Sequence, residues 1–205
     1  MAPSLPKRSE PIETLRGSIT SVGFSSGHRF VIGHWPTSPI GPFADVMWRD
    51  PANSKILLAG PEAADYITTI YPFDERVATP VTVTDTVGGR GANRLDVLSE
   101  PLKLRLTIGR PVFPIPPRPR WVTSTVERWA ARALLGVNTY GVSPTGAEEW
   151  YRTRSVRLVT GGRGALNGVD LGSVTDLEQP MNVGFSEPPT WPSHVRLRVD
   201  VRHPQ

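Results

Sequence analysis

The sequence predicts a mostly β protein: a single barrel or strongly curved antiparallel sheet covered by two short helices. Three observations lead there. Several segments alternate between apolar and polar residues, the period of a half-buried strand. These segments are short and divided by turn residues, with 19 Gly and 22 Pro in 205 residues. Helical periodicity is confined to two brief stretches.

Residues 1–16 read as a flexible tail and 17–205 as one β-rich domain. From Ser18, ITSVGF and GHRFVIGHW are strands joined by the small polar turn Ser25-Ser26-Gly27. PTSPIGP is a rigid turn, FADVMWRD a third strand, and Asp50-Pro51-Ala52-Asn53 a hairpin turn into KILLA. Gly60-Pro61-Glu62 opens a short helix, AADYITTIY, with Pro61 in the first turn where its missing N–H costs nothing. Pro72 ends it. VATPVTVTDTV and RLDVLSEPLKLRLTI are strands around Gly88–Gly91.

Residues 110–120, RPVFPIPPRPR, predict a polyproline-like connector. A second helix over 124–135 follows, with a capping box at Ser124–Glu127, an apolar stripe through Val126, Trp129, Ala130, Ala133 and Leu134, and a stop at Gly136. WYRTRSVRLVT, DLGSVTDLE, MNVGF and SHVRLRVDVR return to strand. In the last of these His194, Arg196, Arg198, Asp200 and Arg202 share one face, and Val195, Leu197, Val199 and Val201 the other. Alternation leaves open whether the basic faces are a solvated exterior or line a cationic cavity.

The absence of cysteine excludes disulfides, thiolate metal sites and Cys nucleophiles. The polar start, MAPSLPKRSEPIETLRG, has no apolar signal-peptide core, and no run approaches the ~20 apolar residues of a membrane-spanning helix. A cytoplasmic location is the expectation. The formal charge of +4, with Arg far outnumbering Lys, is too small a surplus to predict nucleic-acid binding.

Gly23-Phe24-Ser25-Ser26-Gly27 fits G-x-S-x-G, but a nucleophile elbow needs a helix after the serine and here a strand follows, so the segment reads as a hairpin turn. The two GGRGA copies, at 88–92 and 161–165, read as turns between strands and precede no helix that would make them phosphate loops. The four histidines lack helical metal-ligand spacing. No cofactor or metal is expected.

Ser38-Pro39-Ile40-Gly41-Pro42-Phe43-Ala44-Asp45-Val46 resembles the S-x-x-G-P-Y-x-E-hydrophobic segment of acetoacetate decarboxylase-like proteins. In those proteins the acidic residue closes a turn into a barrel strand and faces the interior cavity. The resemblance puts Asp45 in that position and Phe43 in the aromatic one. The family's Schiff-base lysine has no counterpart: Ile70–Arg76 contains none, and only Lys7, Lys55 and Lys103 exist. Lys103 lies two residues from Arg105, a cation able to lower an amine pKa. The resemblance thus implies a related barrel with an acidic cavity residue and argues against decarboxylation through an imine.

The resulting expectation is a barrel that binds a small organic metabolite, anionic or keto in character. If it is an enzyme, metal-independent acid–base chemistry of lyase, isomerase or cyclase type is expected. Asp45 is the candidate acid or base, with Arg29, Phe43, Lys103 and Arg105 as candidate substrate-binding residues. The alternative is a non-catalytic module that binds lipid or an anionic partner through an Arg-rich face.

Overall fold

A computed structural model describes residues 11–88, 93–114 and 140–204. Thirteen strands lie along them: β1 (Glu13–Phe24), β2 (Arg29–Thr37), β3 (Phe43–Arg49), β4 (Lys55–Ala59), β5 (Glu75–Ala78), β6 (Thr82–Asp85), β7 (Arg94–Leu98), β8 (Leu102–Pro114), β9 (Tyr140–Val142), β10 (Glu148–Leu166), β11 (Val169–Asp170), β12 (Val174–Thr175) and β13 (Ser193–Arg202). One helix, α1 (Pro61–Ile70), stands between β4 and β5. The strands form one strongly curled open sheet, a half-barrel, in the order β5-β4-β3-β2-β1-β13-β10-β8-β7-β6. Pairing along this path is antiparallel except β4 with β5, where α1 forms the crossover.

The expected turns close most of these pairs. Gly27 adopts φ 85° and donates its N–H to Phe24 O, so the G-x-S-x-G segment is the β1–β2 hairpin. Asn53 takes φ 69°, and Asp50 Oδ1 accepts the Ser54 N–H at 2.7 Å. Helix α1 has Gly60 as N-cap and Pro61 in its first turn, and ends before Tyr71.

Curling the sheet gives its central strands two buried faces. Phe30, Ile32, Val46, Ile56 and Leu58 pack with Leu95, Val97, Leu102, Leu104 and Leu106, joining β2–β4 to β7 and β8. The opposite residues, among them Trp35, Leu57, Ala59, Leu197 and Val199, pack with Ala63, Tyr66, Ile67 and Ile70 of α1. The apolar face of β13 therefore builds core. On its polar face Asp200 binds Thr14, Arg152 and Arg198, while His194 is fully buried beside Thr20.

Several boundaries move. The flexible tail cannot extend to residue 16, because Glu13–Arg16 already pair with β13 and Leu15 is buried in the core. The second GGRGA copy is strand within β10, not a turn. A Cβ on Gly162 would lie 2.7 Å from Arg105 O, and one on Gly164 2.6 Å from Leu104 Cδ2, so the glycines permit close packing on β8. Residues 110–114 continue β8 instead of starting a connector. Pro111 and Pro114 donate no ladder hydrogen bond, and the pairing with β10 slips register at three points. Met181–Phe185 is not strand, and only the two-residue β11 and β12 remain of the strand expected over 170–178. The second expected helix, most of the first GGRGA copy and the connector beyond residue 114 lie outside the described residues.

Candidate functional site

A cavity of about 140 Å³ lies on the α1 side of the sheet. Its floor is the alternating face of β1, β2, β3, β10 and β13, including Ile19, Val31, Met47, Val195 and Leu197. Its roof is Ile67 and Ile70 of α1, Tyr71 just beyond the helix, and the irregular segment 181–189. That segment is rich in proline and is pinned by side chains. Glu187 accepts the backbone N–H groups of Met181 and Asn182, both at 2.7 Å. Arg49 Nε donates to Met181 O at 2.6 Å, and Arg29 Nη1 to Pro180 O at 3.1 Å.

Asp45 enters from β3 and is 1% exposed. Its Oδ1 accepts the indole N–H of Trp35, on neighbouring β2, at 3.0 Å. Gly33 lies directly opposite Asp45 in the β2–β3 ladder, and any Cβ there would stand 2.3 Å from Oδ1 and 2.5 Å from the indole nitrogen. Glycine thus makes room for the pair. Asp45 Oδ2 is buried and has no hydrogen-bond partner among the described residues. Burial pushes this carboxyl up to about 7, with the Trp35 hydrogen bond opposing the shift.

A second carboxyl, Glu149 of β10, is also 1% exposed and lines the same cavity. Tyr71 and Tyr151 both donate to its Oε2, the latter at 3.1 Å, and their hydroxyls are 2.8 Å apart. Oε1 is buried without a partner among the described residues. Burial pushes Glu149 up to about 7 against the pull of the two phenols. Both tyrosines are held well above the ordinary phenol range, first by burial, and the Asp45 charge adds to the shift at Tyr151. Among the described residues lining the cavity there is no lysine, arginine or histidine.

Of the residues singled out from sequence, the structure brings Asp45 alone into the cavity wall. Phe43 packs behind it, 6.5 Å from the Trp35 ring and 6.1 Å from that of Tyr66. Arg29 is buried outside the lining, where it braces the roof through Pro180 and also binds Asn53. Lys103 and Arg105 lie on the exposed face of β8, with Arg105 paired to Asp96 at 2.7 Å. Their neighbours Leu102, Leu104 and Leu106 enter the core on the face away from α1, and Lys103 and Arg105 are exposed on the other face, outside the cavity lining.

Glu149, Tyr71 and Tyr151 are the residues that sequence reasoning missed. No local signal marks them: the positions that follow at the parity of Glu149 and Tyr151 are Thr153, Ser155 and Arg157, so the stretch reads as a polar strand face. Among the described residues no group of three His, Asp or Glu side chains converges as a metal site. Comparison with protein-family models, with curated proteins and with solved structures returns no match.

Proposed function

We propose that the protein binds a small organic molecule in this cavity and acts on it by acid–base chemistry, with Asp45 taking and returning a proton. The carrying observation is the buried Asp45 carboxyl, oriented by Trp35 through one oxygen and unpartnered at the other. Poised near 7, it is populated in both protonation states at neutral pH, as a general acid or base must be. A reaction of lyase, isomerase or cyclase type fits such a group.

The resemblance to acetoacetate decarboxylase-like proteins supports the same reading. Asp45 follows a turn in which Ser38 Oγ binds both Gly41 O and Ile40 N–H, and it enters a cavity from a strand. An imine route finds no amine among the described lining residues. The alternative, an anionic or lipid partner on an arginine-rich face, has less support, because several outer arginines are already paired. Arg94 and Arg105 bind Asp96, Arg152 and Arg198 bind Asp200, and Arg202 binds Glu148.

The test is native mass spectrometry of the freshly purified full chain, with denaturing extraction. A discrete small mass that denaturation releases and that Leu197→Trp abolishes by filling the cavity is the expected result. Retention of that mass in folded Leu197→Trp protein would place binding elsewhere. Once the ligand is named, Asp45→Asn should abolish turnover while leaving the domain folded.

A further inference from the structure

The cavity also constrains what it can hold. A volume of about 140 Å³ is close to that of an engineered apolar cavity that takes up benzene, so the part of an occupant held inside amounts to about six to eight non-hydrogen atoms. The lining contributes three carboxyl side chains, Asp45, Glu149 and Glu187, and the remainder is mostly apolar. An anion entering it would lose its hydration and meet only like charge or neutral acid. An ammonium would set three donors against the two carboxyl oxygens that lack partners among the described residues, Asp45 Oδ2 and Glu149 Oε1, in a lining that is otherwise mostly apolar.

Resting on the acid–base reading above, we propose that the ligand is an uncharged, enolisable carbonyl compound about the size of a six-membered ring, its oxygen held by Glu149 and its α-carbon turned to Asp45. The two carboxyls divide the work because their surroundings differ. Glu149 has Oε2 bound by two phenols and Oε1 without a partner among the described residues. Protonated, it offers Oε1–H to a carbonyl oxygen, in the manner of a neutral buried acid facing a developing oxyanion. When it gives up that proton, the charge left on Glu149 falls where the Tyr71 and Tyr151 hydroxyls already point. Among the described residues Trp35 is the one side-chain donor to Asp45, so Asp45 is the group that accepts a proton from carbon.

The step balances. The Asp45 carboxylate takes a proton from the α-carbon, and the C–H electron pair becomes the C=C bond. The carbonyl π pair moves to oxygen, which takes the Glu149 proton to give the enol. Return of solvent-exchanged protons restores the ketone and both side chains.

Three probes of one shape test this with the full chain: cyclohexanone, cyclohexanecarboxylate and cyclohexylammonium, followed by ligand-observed NMR. The ketone should bind tighter than either ion by roughly tenfold or more, the scale set by leaving one buried polar group unmatched. In D2O the protein should accelerate deuterium incorporation at the ketone's α-carbon. Asp45→Asn should abolish that exchange, and Glu149→Gln should lower it by roughly tenfold or more. Tyr151→Phe, which keeps the carboxyl and removes one donor, should give an intermediate loss and guards against a misfolded Glu149 variant. Tighter binding of either ion, or exchange indifferent to both Glu149→Gln and Tyr151→Phe, would overturn the proposal and leave the cavity-binding reading standing. No binding of any probe would overturn both.

Discussion

At Asp45 and Glu149 the electrostatic cost of burial sets the sign of a pH effect. Each carboxyl has its folded pKa raised to about 7 from an ordinary value near 4. The folded state therefore holds protons that the unfolded chain has already released between those values. Stability from each group is complete below about pH 4, declines as pH rises, and is gone above about 7. For Asp45 the span corresponds to roughly 4 kcal/mol. Urea unfolding at pH 5 and pH 8 should show wild type losing more stability than Asp45→Asn or Glu149→Gln; equal losses would refute the burial account. His194 works in the opposite sense. Burial depresses its imidazole against the pull of Asp85, so its contribution is present at neutral pH and is lost on acidification. Gly33 makes a steric prediction. Gly33→Ala forces Asp45 or Trp35 to move and should cost about 1–3 kcal/mol, read as a lower urea midpoint together with altered tryptophan emission.

At the scale of the element, α1 has ten residues and no side-chain N-cap, too short to persist alone. Its packing on the sheet holds it in place. Ile67 is buried in the core and also roofs the cavity, so Ile67→Ala should cost roughly 2–5 kcal/mol and enlarge the space beneath. Calorimetric unfolding checks the first effect; uptake of a bulkier ketone by the variant checks the second. The same elements show how far sequence reading reached. Alternation in β13 divided its residues between two faces without saying which looks inward, and Pro61 and Pro72 bracketed α1. The two-sided burial of β2–β4 was not legible, since the same alternation describes a solvated outer face. Asp45 was singled out by the resemblance of residues 38–46 to a family segment. Its counterpart was not: Tyr71 and Glu149 are 78 residues apart in sequence and meet only when the chain just beyond α1 reaches β10. Lys103 and Arg105 were misplaced because alternation assigns a residue to a face without saying how far across the sheet the cavity extends, and it stops short of β8.

At the scale of the molecule the last described strand lies in the middle of the sheet. β13 pairs with β1 on one side and β10 on the other, from Glu13↔Val201 to Ser21↔Ser193 and from Glu148↔Arg202 to Leu158↔Ser193. Removal of residues 193–205 should therefore abolish cooperative unfolding instead of merely trimming an edge, which circular dichroism melting would reveal. This arrangement also bears on biosynthesis. The ribosome delivers β1 about 180 residues ahead of its central partner, an interval of roughly ten to forty seconds at ordinary elongation rates. Until β13 arrives β1 keeps a bare edge, and β10 adds a second once it is made, the two flanking a missing stave. Protection during translation falls to whatever holds those edges apart, so yield in a cell should respond to chaperone supply more than to gains in the stability of the finished fold.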